Sequence, residues 1–130
     1  MTLSNQLWSI QLPFTLTNGN DGRGKAFWKS SNDRKRFESD LRLMGLVRKP
    51  FTMPVFLRVT RLLGSRQKLW DFSSGFRGNW KELEDAMVSC GWFFDDGPAC
   101  IRGLVFEQRA ATQKNLKPAV LVEVFDAGGE

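Results

Sequence analysis

Histidine is absent from the 130 residues of this chain, and so is tyrosine. Without imidazole there is no Ser-His-Asp or Cys-His nucleophile pair, no histidine general base and no histidine-ligated zinc. Cysteine is nearly absent too: Cys90 and Cys100 form neither a C-x-x-C motif nor a dense disulfide framework. A single bridge between them stays open on the sequence, and two free thiols in a reducing cytoplasm are the expectation. No run approaches the ~18 apolar residues of a membrane span. The opening MTLSNQLWSIQLPF lacks a basic stretch followed by an apolar one, so no membrane partner and no secretory leader are expected. Acids are scarce in one half only. Residues 1–70 hold 13 Lys or Arg against 4 acids, a balance of +9, whereas residues 71–130 hold 6 against 10, a balance of −4.

What is present is the material of one ordinary core. Hydrophobic residues make up 42% and charged residues 25%, and the length suits a single domain over 1–130. The basic half is suited to a phosphate backbone, with a plain solubility surface as the alternative. The acids of the second half must then lie away from that surface or carry a cation.

Periodicity supplies the elements. LWSIQL alternates Trp8, Ile10 and Leu12 with Ser9 and Gln11, a half-buried strand that Pro13 ends. TNGNDGRGKAF reads as a basic loop; its GRGK lacks the spacing of a phosphate-cradling motif. SSNDRKRFESDLRLMG places Phe37, Leu41 and Met44 on one helical face, with Ser30 or Ser31 as N-cap and Gly45 as the stop. PVFLRVTRLL, with Arg58 and Arg61 interleaved, suits a strand with one wet, basic face, and GSRQK adds Arg66 and Lys68 at a turn.

WDFSSGFRGN has no period and is expected to be irregular. NWKELEDAMVSCGW then sets Trp80, Leu83, Met87 and Cys90 at helical spacing, with Asn79 as N-cap and Gly91 as the end. Lys81 and Asp85, at i and i+4, share the opposite face. CIRGLVFEQ and AVLVEVF read as two further strands. The predicted fold is α/β with an α+β character: a small mixed sheet of about four strands with two main helices, in the order strand-helix-strand-helix-strand-strand.

GWFFDDGP, residues 91–98, sets Asp95 and Asp96 directly after Trp92, Phe93 and Phe94. Two readings compete. In one, the acids cap a turn, Asp96 accepting from local backbone amides before Gly97. In the other, they belong to a metal site. The three aromatics are expected in the core as adjacent strand residues facing both ways, with base stacking as a lesser use.

Lys81, then Asp85-Ala86-Met87, then Gly91-Trp92-Phe93-Phe94 closing on Asp95-Asp96, form a compound pattern. It resembles the C-terminal half of the RusA-type Holliday-junction resolvase family, a lysine followed by D-A-L, a turn and a hydrophobic run ending in D-D. IQLPFTLTN, Ile10 to Asn18, is similar to the family's opening strand and polar loop. The element order is similar over nearly the whole chain, while residues 69–108 carry the specific motifs.

The resemblance implies a small, dimeric, Mg²⁺-dependent endonuclease of phages or prophages that cuts branched DNA such as Holliday junctions with a metal-activated water, Mn²⁺ being an alternative ion. It implies Asp96 as a metal-ligating acid and Lys81 on the scissile phosphate or the attacking water. The chemistry needs no histidine, because Mg²⁺ takes oxygen ligands and keeps several waters. The chain departs from the family at its D-x-D-N motif, whose positions fall on Gly75, Arg77 and Gly78. Asp71 is the nearest replacement, with Asp95 or Asp85 as third ligand. Arg58, Arg61, Arg66, Lys68 and Arg77 are the candidate DNA contacts. A derivative that has lost cleavage and retains DNA binding or scaffolding is the alternative expectation.

Overall fold

A computed structural model of the chain describes residues 5–16, 27–64, 80–110 and 117–127, with the backbone alone for 27–31. Six elements follow in the order β1 (Gln6–Leu12), α1 (Phe27–Leu43), β2 (Val55–Leu62), α2 (Trp80–Ser89), β3 (Ile101–Arg109) and β4 (Ala119–Asp126). The strands form one mixed sheet in the spatial order β1-β4-β2-β3. β4 lies antiparallel to both β1 and β2, and β3 runs parallel to β2. A parallel neighbour requires a crossover, and the segment from β2 to β3 contains α2. The α+β architecture and element order match the sequence reading.

Side chains alternate along each strand, so register decides which residues share a face. Trp8, Ile10 and Leu12 stand beside Val124, Val122 and Val120. Leu57 and Val59 stand beside Val124 and Val122 on one side, and beside Leu104 and Phe106 on the other. This face packs against Phe37 and Leu41 of α1 and Trp80, Leu83, Ala86 and Met87 of α2 in one buried cluster. Leu57 is fully buried there, and truncating such a leucine to alanine costs about 2–5 kcal/mol.

β2 departs from its expected wet, basic face. It is a central strand with neighbours on both edges, and six of its eight residues are buried. Arg58 and Arg61 are three positions apart and therefore point to opposite faces. Arg61 lies at the end of the helix-covered face, only 4% exposed, where its Nη1 donates to Gln108 Oε1 at 3.0 Å. Arg58 projects from the other face and pairs with Glu123, its direct neighbour in the register.

Both helices stop at glycine. Gly45 has φ +73°, with Gly45 N–H donating to Arg42 O and Leu46 N–H to Leu41 O. Gly91 repeats the arrangement at φ +88°, with bonds to Val88 O and from Trp92 N–H to Met87 O. Such a left-handed residue satisfies the last carbonyls at little steric cost only if it is glycine. A Cβ on Gly91 would also collide with the Arg48 carbonyl.

The start of α1 differs from the expectation. The helix begins at Phe27, which places Ser30 and Ser31 inside it rather than at its cap. Met44 falls in the turn after α1 and is 40% exposed, so the buried stripe is Phe37 and Leu41. Asn79, the expected cap of α2, lies outside the described residues. Cys90 and Cys100 are free thiols, the first buried. Burial raises the Cys90 pKa. Among the described residues, no helix is long and apolar enough to cross a membrane.

Candidate functional site

α2 and the turn after it build the candidate site, and the α1–β2 connection holds that turn in place. Arg48 N–H donates to Cys90 O, and Phe51 N–H donates to Trp92 O, both at 3.2 Å. The Trp92 indole N–H donates to Leu46 O at 2.6 Å. Its ring is fully buried, edge-on to Trp8 with centroids 4.6 Å apart. Phe93 is buried and stacked on Phe51 at 6.0 Å. The Arg48 guanidinium caps Phe51 from the other direction, 3.6 Å from the ring centre.

Phe94 does not join this core. The expectation that all three aromatics would be buried rested on strand geometry, but residues 92–94 form an irregular bend that directs Phe94 to solvent.

The two aspartates separate at this point. Asp95 Oδ1 accepts the Gly97 N–H at 2.5 Å, so it is Asp95, not Asp96, that makes the local turn contact. Asp96 instead meets Lys81, fifteen residues earlier on the first turn of α2. Lys81 Nζ also lies 3.1 Å from Asp85 Oδ1 and 3.3 Å from Glu84 Oε1. Oxygens of Glu84, Asp85 and Asp96 lie within 4.8 Å of one another.

One ammonium therefore faces three carboxylates. The hydrogen bond from Lys81 holds Asp96 below its usual carboxylate range, and the acids in turn raise the Lys81 pKa. Glu84 moves the opposite way. Its side chain is only 13% exposed, and desolvation raises its proton affinity despite the nearby lysine.

The expected site residues are distributed unevenly. Lys81, Asp85 and Asp96 come together. Asp95 is next to them in sequence but turns its carboxylate to the backbone. Asp71, Arg66, Lys68 and Arg77 lie outside the described residues. Arg58 and Arg61 belong to the sheet. Glu84 was not singled out by sequence reasoning, although its position three residues after Lys81 puts it on the same helical face.

The donor set is all oxygen, with no nitrogen or sulfur, and suits a hard cation that retains water. The lysine ammonium already shows that positive charge is stabilised at this point. Compared with protein-family models and with curated proteins, the chain gives no match.

Proposed function

We propose that the chain is a RusA-like protein that acts on branched DNA as a Mg²⁺-dependent endonuclease. One observation carries the reading: Lys81 and Asp96, the two residues that the family pattern singles out, meet at an exposed cluster of carboxylates. Asp96, Asp85 and Glu84 would hold the cation, with Asp71 available from the segment before α2. Magnesium, when bound, polarises a phosphodiester and makes a coordinated water more acidic.

The residues of the chain supply the rest. Lys81 presents a point charge to a phosphate oxygen where negative charge grows during transfer. Asp96, held ionised by that lysine, keeps it aimed from α2 toward the turn. Glu84 is the carboxylate of the three most ready to accept a proton, because it is the most desolvated. A homodimer would present two such sites to the two strands of a junction, in keeping with the family resemblance and two-fold symmetry.

The test is cleavage of a synthetic four-way junction with Mg²⁺ against a linear duplex of the same sequence. Junction-selective cutting that requires the metal and is lost in Asp96→Asn supports the enzyme. Background cutting with retained, salt-sensitive junction binding supports the second reading, a binding or scaffolding derivative. That reading is favoured by Gly75, Arg77 and Gly78, which offer no acid where the family has its D-x-D-N motif.

A further inference from the structure

Phe94 is 67% exposed, although the two residues before it are buried. Its backbone is held on both sides. Trp92 and Phe93 are fixed by Leu46 and Phe51, while Asp95 closes its turn on Gly97 and Asp96 contacts Lys81. The Phe94 ring itself makes no aromatic or cationic contact among the described residues. It is a rigidly mounted apolar disc in water, beside the one cluster suited to a cation and a phosphate.

Two residues of extended chain span at most ~7 Å, so Phe94 and Asp96 are about as far apart as a base and the phosphate of its own nucleotide. The geometry points to Phe94 as a stacking platform for an unpaired base whose phosphate lies at Lys81. The inference rests on the nucleic-acid reading above and adds a specificity residue to it.

The chemistry of the surroundings favours a base over a protein partner. A protein hot spot sits within a patch of apolar neighbours, whereas Phe94 is followed by Asp95, Asp96 and Gly97. A nucleobase presents a π-face to a lone ring and polar edges to everything around it, and stacking tolerates any base. Bases in a continuous duplex are stacked on each other and offer no free face. Bases at a branch point can. Phe94 therefore discriminates branched DNA from linear duplex.

The experiment compares the affinity of the intact chain and three variants for a four-way junction and for a duplex of matching sequence, with Ca²⁺ replacing Mg²⁺. Phe94→Ala is expected to weaken junction binding about ten-fold and leave duplex binding unchanged. Phe94→Trp restores the affinity, and Phe94→Leu, apolar without a π-face, does not. Equal junction affinity for wild type and Phe94→Ala, full rescue by leucine, or equal weakening on both DNAs would overturn the stacking role alone. A wild-type chain that binds neither DNA overturns the nucleic-acid reading, and the stacking role with it.

Discussion

Two charged groupings in this molecule obey opposite rules. Arg58 and Glu123 face each other across β2 and β4, one cation to one anion, joined by two hydrogen bonds of 2.8 and 2.9 Å. The Glu123 side chain is nearly buried, and the Arg58 guanidinium also lies over Phe125, 5.4 Å from the ring centre. Every strong donor and acceptor in that pair has its match. At the end of α2, one ammonium serves three acids, and the lysine and two of those acids are more than a third exposed. A balanced, covered pair stabilises a sheet. An unbalanced, solvent-facing cluster has charge left over for a ligand. Counting charged residues cannot separate the two; their partners and exposure can.

The largest expected effect comes from the shared support of site and core. Trp92→Ala should cost about 3–5 kcal/mol in chemical denaturation. It should also release the turn that carries Asp96, and unchanged stability would mean that the buried indole anchors nothing.

Next is Asp96→Asn, which on the proposed reading lowers junction cleavage on the order of 10²–10³-fold and leaves the melting temperature close to wild type. A large fall in stability together with activity would instead put Asp96 in the same structural class as Glu123.

Glu123→Gln should destabilise by about 2 kcal/mol near neutral pH, without altering DNA cleavage per folded molecule. The sign of its pH dependence follows from the bond to Arg58, which depresses the Glu123 pKa. A depressed carboxylate contributes stability above its unfolded pKa, and that contribution disappears as pH falls through the folded value. The wild-type advantage over Glu123→Gln should therefore shrink below about pH 4 in urea titrations. Glu84 has the opposite sign: its raised pKa favours the fold at low pH, an effect lost as pH rises through the folded value.

The smallest effect sharpens the comparison most. Lys81→Met should change stability by less than about 1 kcal/mol at pH 7, since exposed ion pairs contribute little. It leaves three carboxylates without their cation, so millimolar Mg²⁺ should raise the melting temperature of the variant more than that of wild type. Equal responses would mean that the cluster is only a solvated face.

Much of this molecule was legible in the chain. The alternation of Trp8, Ile10 and Leu12 and the spacing of Trp80, Leu83 and Met87 locate a strand and a helix, because side-chain direction is set by local backbone geometry. The stops at Gly45 and Gly91 were legible for the same reason. Arg58 and Arg61 were misread as a wet face because one strand's sequence does not reveal that two others flank it. Phe94 was misread as core because it follows two residues that are. Glu84 was passed over, though its helical spacing from Lys81 was available. Gly75, Arg77 and Gly78, where the resemblance fails, are outside the described residues.

The sequence by itself determined the order of elements, the buried face of each, and a lysine and an aspartate set at the spacing of a known nuclease family. Those properties depend on periodicity and on short-range sterics, and each can be read within a few residues. Only the tertiary structure decided which of two adjacent aspartates turns to the backbone and which to Lys81. It also decided that Glu84 joins the cluster and Phe94 leaves the core. The α1–β2 connection makes that decision, because its bonds to Cys90 and Trp92 set the path of GWFFDDGP, and no local rule within those eight residues contains them.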